Sequence, residues 1–152
     1  MAETGVNAGD PKLERLMPQI TVDYSASLSD AFDRRGFAGA LHPLTARIAD
    51  TPVDTCKTRF RRAEETFVAD GAPEHALVHV ELALLPGRTD EVKAELSRAV
   101  LELVRTYTGS APGAVVHWSV DVTELGAAYR KSVGDAADAG AAGAGAAGAA
   151  GV

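Results

Sequence analysis

Apolar and polar residues alternate one for one along Gln19-Ile20-Thr21-Val22-Asp23-Tyr24-Ser25, the period of a strand with one face buried. A loop rich in Ser, Asp and Ala follows. Phe37, Leu41, Leu44 and Ile48 then recur at i, i+4, i+7 and i+11, an apolar stripe that predicts a helix over Asp33 to Ala49. Pro43 is expected to kink this helix or to lie in its first turns. Beyond Thr51-Pro52, the segment Lys57 to Val68 reads as a polar strand with hairpin character, ending at the turn signal Ala69-Asp70-Gly71-Ala72-Pro73.

A second strand is cleaner, with Val78, Val80, Leu82 and Leu84 on one side and Leu77, His79, Glu81 and Ala83 on the other. Pro86-Gly87-Arg88 ends it. Thr89 is a suitable N-cap, Asp90 and Glu91 suit the positive end of a helix dipole, and Val92, Leu96, Ala99, Val100, Leu103, Val104 and Tyr107 form one apolar face. Gly109 is the expected stop. A last strand runs from Ala114 to Thr123, with Val116, Trp118, Val120 and Val122 on one face and Val115, His117, Ser119 and Asp121 on the other. Two strand-helix-strand units of similar length form an internal pseudo-repeat. The predicted fold is α+β: a four-stranded mixed sheet with two helices on one face, because parallel crossovers put both helices on the same side.

Composition divides the 152 residues into three parts. Residues 1–16 are polar and form an expected disordered extension, residues 17–133 hold the domain, and residues 134–152 are expected to be a flexible tail. From Ala139 to Gly151 the tail is only Ala and Gly, with no large side chain to bury. With 46% hydrophobic and 24% charged residues, the chain has the make-up of one globular domain. A net charge of -6, with no basic run interleaved with aromatics, argues against nucleic acid as a partner. The single Cys56 cannot form an internal disulfide, no apolar leader core opens the chain, and no stretch approaches the roughly 20 apolar residues of a membrane span. The cytoplasm is the expected compartment.

Pro18 is the first chemical candidate. As an amino terminus it would be a secondary amine able to take a proton, whereas inside the chain its nitrogen is an amide with almost no basicity. The alternative is a proline that merely opens an edge strand. Alternation places Lys57 and Arg59 on one strand face, and Arg88 precedes the second helix; such cations hold carboxylates, arginine through two parallel hydrogen bonds. Lys57 also reads as part of a solvated charged strand, and Arg88 as a counter-charge to Asp90 or Glu91. His79 lies opposite Val78 and Val80, facing the far side of the sheet or a subunit boundary in a structural role. His42, His75 and His117 sit on separate elements without metal-ligand spacing, so no metal is expected. Cys56 beside Lys57 lacks a Cys-His signature and reads as a bystander.

Met17-Pro18 opening a strand, Lys57-Thr58-Arg59, the Ala69-Asp70-Gly71 turn, His79 within Leu77-Val78-His79-Val80, and Pro86-Gly87-Arg88 before the second helix occur in one order along residues 17–133. In this ordered set the chain resembles the 5-carboxymethyl-2-hydroxymuconate isomerases of the tautomerase superfamily. The resemblance implies a homotrimer with active sites at subunit boundaries, an amino-terminal proline as catalytic base, and no cofactor. It also implies that Arg88, with Lys57 and Arg59 sharing a position where arginine is usual, orients the carboxylates of a small-molecule substrate.

The resulting expectation is a cofactor-independent isomerase that moves a proton in an unsaturated 2-hydroxy carboxylic acid such as 5-carboxymethyl-2-hydroxymuconate. Pro18 acts as base; Arg88, Lys57, Arg59 and His79 serve the substrate. Two other readings remain open. One is a general keto-enol tautomerase or hydratase, and the other is a non-catalytic oligomeric binding domain, favoured if residues 1–16 are retained.

Overall fold

The computed structural model describes residues 17–109 and 111–134. The expected disordered extension over residues 1–16, and the tail from residue 135 onward, lie outside the described residues. The elements run in the order β1 (Gln19–Ser25), α1 (Arg34–Ala49), β2 (Lys57–Ala63), β3 (His75–Leu84), α2 (Asp90–Thr108) and β4 (Val115–Glu124). They form one sheet in the order β2-β1-β3-β4. The outer pairs are parallel and the central pair, β1 with β3, is antiparallel.

The alternation read from the sequence decides which face is covered. Ile20, Val22, Val78, Val80 and Leu82 are fully buried, and they pack with Phe37 and Leu41 of α1 and Leu96, Val100 and Val104 of α2. Burying each such side chain contributes about 1.5–3 kcal/mol. Phe60 and the β4 residues Val116, Trp118, Val120 and Val122 pack against this core from the two outer strands. An aromatic group closes one end: Phe32 meets Tyr24 and Phe60 edge-on, with ring centroids 5.7 and 5.9 Å apart. The opposite sheet face carries Thr21, Asp23, Arg59, Arg61, His79, Glu81, His117 and Ser119, and the helices leave it uncovered.

Both helices start as their sequences require. The Asp33 side chain accepts from Gly36 N–H at 3.0 Å, and Thr89 Oγ1 accepts from Val92 N–H at 3.2 Å. Pro43 lies in the interior of α1, well past its first turns, with its ring exposed. It costs the Gly39 carbonyl its i+4 donor, and burial of Phe37, Leu41 and Thr45 on the other side of the helix holds the segment helical. The polar strand also differs from expectation. It stops at Ala63, not Val68, and it forms no hairpin, pairing in parallel with β1. Glu64 and Glu65 offer nothing to bury, and the chain leaves the sheet there.

The pseudo-repeat is visible in the backbone. Lys57 N–H donates to the Pro18 carbonyl, and Val115 N–H donates to the Glu74 carbonyl. Each bond ties the start of a unit's second strand to the residue just before its first. A third link, from Asp33 N–H to the Tyr107 carbonyl at 3.0 Å, joins the helix start of one unit to the helix end of the other.

Gly109 ends α2 at φ 66°, ψ -168°, a conformation open in practice only to glycine. A Cβ at this position would also come within 2.9 Å of the Ala31 carbonyl oxygen. Gly109→Ala is expected to lower stability by about 1–3 kcal/mol. Urea denaturation followed by circular dichroism measures this; an unchanged midpoint would show that the chain relaxes without strain.

Candidate functional site

Parallel pairing puts the starts of β1 and β2 side by side, and this brings Pro18 next to Lys57. Pro18 is buried, and Met17 before it is only 5% exposed. Beside them, on the uncovered face of the sheet, lies an open cavity of about 550 Å3. Gln19, Thr21, Lys57, Arg59, Glu81 and Ala83 form its strand wall. Leu125 and the run Tyr129-Arg130-Lys131-Ser132, which follow β4, form the other wall.

A hydrogen-bond chain orders these groups. Arg59 donates from Nη2 to Gln19 Oε1 at 2.8 Å, and Arg59 Nη1 lies 3.4 Å from Thr21 Oγ1. The Gln19 amide donates onward to Tyr129 Oη at 2.9 Å. Four cations thus line one cavity against a single carboxylate, Glu81. None of the four has an ion-pair partner among the described residues, whereas Arg61, Arg62, Lys93 and Arg105 all do. Burial and then the neighbouring charge of Lys57 hold the Lys131 ammonium below the usual lysine range, and Asp54 partly opposes them. A site of this kind favours an anion.

Of the residues picked out in the sequence, Lys57 and Arg59 line the cavity, and Pro18 is tied to it through the Lys57 N–H that its carbonyl accepts. Arg88 lies at the same end of the sheet but on the helix side, where its Nε donates to the Ala49 carbonyl at 3.1 Å and its Nη1 to the Leu85 carbonyl at 3.2 Å. The first of these bonds holds the C-terminal end of α1. His79 lies away from the cavity, with Nδ1 2.6 Å from Ser119 Oγ on the open face. Cys56 is buried, and desolvation pushes its thiol up despite the opposing effect of Lys57, so it is a poor nucleophile. No cluster of three His, Cys, Asp or Glu residues fit to hold a metal ion occurs among the described residues. No described helix is long and apolar enough to cross a membrane.

The sequence reading missed Tyr129, Arg130 and Lys131. They follow the last strand in a segment without apolar period, and the available signal was two adjacent cations beside an aromatic residue. A second cavity, about 480 Å3, lies at the pseudo-equivalent end of the fold; Asp30 and Glu74 line it, and none of its lining residues is a cation.

The sequence profile described as 5-carboxymethyl-2-hydroxymuconate isomerase matches residues 18–131. A 5-carboxymethyl-2-hydroxymuconate Delta-isomerase of Escherichia coli is 25% identical over 91 residues, which are 60% of this chain and 72% of that protein. The crystal structure of a 5-carboxymethyl-2-hydroxymuconate isomerase from Deinococcus radiodurans R1 superposes with a TM-score of 0.66 at 23% identity, covering 80% of this chain and 92% of that one. A fused 4-OT symmetric trimer shares the fold at a TM-score of 0.54 and 18% identity, over 70% of this chain and 86% of its own. The four-stranded mixed sheet with two helices is the fold of these tautomerase-superfamily structures.

His42 ties α1 to β2, with Nε2 2.8 Å from Thr58 Oγ1. Burial holds its imidazole below the ordinary value of 6.5. The unfolded chain therefore binds this proton more tightly than the native one. The contribution is fully present above about pH 6.5 and is lost as pH falls through the lowered native value. Urea midpoints at pH 7.5 and pH 5 should fall further for the parent than for His42→Gln; an equal fall in both would remove His42 as the cause.

Proposed function

This chain belongs to the 5-carboxymethyl-2-hydroxymuconate isomerase family, and we propose that it is a cofactor-independent isomerase moving a proton within an unsaturated 2-hydroxy carboxylic acid, with Pro18 as base. The observation that supports this most is positional. The family match begins at Pro18, which immediately precedes β1 and whose carbonyl accepts from the N–H of Lys57, one of four cations that line the cavity. The reaction is an internal proton transfer. The amine of Pro18 takes the proton of the enol hydroxyl, the O–H electron pair becomes the carbonyl π bond, and the conjugated double bonds shift. The resulting ammonium returns the proton to the distal carbon. Oxidation state is unchanged, and no redox partner is called for.

Lys57 and Arg59 act on charge at both ends of the reaction. They hold a substrate carboxylate, and their field lowers the pKa of an adjacent amine toward neutrality, where a base is most effective. Arg88 contributes by fixing the end of α1 behind this site. The proposed substrate is 5-carboxymethyl-2-hydroxymuconate or a related enol.

The base exists only when the Met17–Pro18 bond is cut, since in the continuous chain the Pro18 nitrogen is an amide. One observation favours a second reading: Met17 is itself buried. A chain that keeps it would be a carboxylate-binding oligomer without turnover. Intact mass and amino-terminal analysis of the protein from its native source, with an ultraviolet assay on 2-hydroxymuconate-type enols, separates the two. Active protein is expected to start at Pro18; activity from protein that retains Met17 would overturn the proline mechanism. In active protein, Arg59→Ala is expected to lower kcat/KM by about 10-fold to 100-fold, the loss of one charged hydrogen bond of about 1.5–3 kcal/mol, mostly through KM.

The assembly proposed is a homotrimer. β2 and β4 are edge strands, the open sheet face carries Leu77 and Val115, and Val115 is 47% exposed. Sedimentation velocity at micromolar concentration is expected to give a trimer; a monomer would remove the proposal.

A further inference from the structure

The wall of the cavity that follows β4 differs from the strand wall in one respect: it belongs to no regular element, yet it is pinned. Leu125 N–H donates to the Leu84 carbonyl at 2.7 Å, Tyr129 N–H to the Gly126 carbonyl at 3.0 Å, and the Tyr129 hydroxyl accepts from Gln19. Gln19 is the residue next to Pro18 and already takes a hydrogen bond from Arg59. The segment is therefore held beside the first residue of β1, which directly follows the proposed base.

Its two cations are not equivalent. Arg130 spends Nη1 on the carbonyls of Ala127 and Tyr129, so its guanidinium braces the turn. Lys131 lines the cavity with no hydrogen bond or ion pair among the described residues. Across the cavity Lys57 makes one long contact, from Nζ to its neighbour's carbonyl at Thr55, 3.4 Å away. Burial first, and then repulsion from Lys57, holds the Lys131 ammonium below the usual lysine range, and Asp54 opposes them only in part. Two like charges held at one rim cost free energy in the empty site, and a ligand carrying negative charge at that rim removes the cost.

We propose that Lys131, acting with Lys57 across the cavity, is the receptor for the outer carboxylate of a dicarboxylate substrate. Tyr129 is the positioning residue that holds its segment through Gln19. Lys131 thereby selects dianions over monoanions of equal length, while Arg59, deeper on β2, serves the carboxylate that both kinds of ligand share. The assignment rests on the reading of this cavity as the substrate site, but it concerns binding and needs no free amine at Pro18.

Calorimetric titration of the full chain with adipate and with hexanoate, equal in carbon number and differing by one carboxylate, tests it at low salt. The parent is expected to bind adipate at least tenfold more tightly than hexanoate. Lys131→Gln should lose most of that ratio by weakening adipate alone, Lys131→Arg should keep it, and Tyr129→Phe should lower it without changing hexanoate binding. Lys93→Gln, which removes a cation paired with Glu124 away from the cavity, serves as the charge control. A parent without preference for adipate would overturn the proposal, as would a Lys131→Gln protein that retains the ratio or a Lys93→Gln protein that loses it equally. Enol turnover, scored separately on protein that begins at Pro18, distinguishes the two conclusions: a Lys131-dependent ratio without turnover contradicts the isomerase and leaves the receptor standing, and turnover with a Lys131-independent ratio does the reverse.

Discussion

The parallel pairing of β1 with β2 is the constraint on which the remainder depends. Parallel neighbours begin at the same end of a sheet, and the chain must travel the length of the sheet between them, which α1 accomplishes. The same holds for β3, α2 and β4. Right-handed crossovers of both units put both helices on one face, so one face becomes core and the other stays open. Pro18 and Lys57 meet because each lies at the start of its strand, and the backbone bond between them fixes their separation before any side chain is considered.

Burial and chemistry are thereby kept apart. The covered face is apolar from Ile20 to Leu84, and the Lys93–Glu124 pair that joins α2 to β4 lies at the end of β4; the open face holds the Arg61–Asp23 pair at 2.8 Å and the cations of the cavity. Charges on the open face remain near water, where an ion pair adds little to stability and a bound anion is easily exchanged. Arg88 is the exception, placed behind the site where its guanidinium donates to the Ala49 carbonyl, one of those at the end of α1 that the helix itself leaves without donors.

Where one face is buried, the sequence period carries the information, and β1, β3, β4 and both helices were legible from it. Thr89 and the helix stop at Gly109 were legible for a local reason, capping chemistry. Pro43 was not, because tertiary burial of Phe37 and Leu41 outweighs a local helix breaker. The length of β2 was misread because Glu64 to Val68 has β-compatible residues but no partner strand to pair with. Of the site, Lys57 and Arg59 could be placed on one face from strand alternation, and Pro18 was joined to them only by the family resemblance. Tyr129 and Lys131 could not: a segment pinned by one amide and a few carbonyls leaves no periodic trace. The orientation of Arg88 toward Ala49 likewise depends on a contact 39 residues away along the chain.

The pseudo-repeat gives the fold two equivalent ends, one beginning at Pro18 and the other at Glu74, with matching backbone bonds to Lys57 and Val115. A polypeptide has a single amino terminus, however, and Glu74 has peptide bonds on both sides. Only one end of the duplicated architecture can present an amine, however similar the two become. The other end has the opposite polarity, with Asp30 and Glu74 at its cavity where the first end gathers lysine and arginine. Covalent connectivity, not packing, therefore limits a free proline amine of the kind proposed to one of the two folded units.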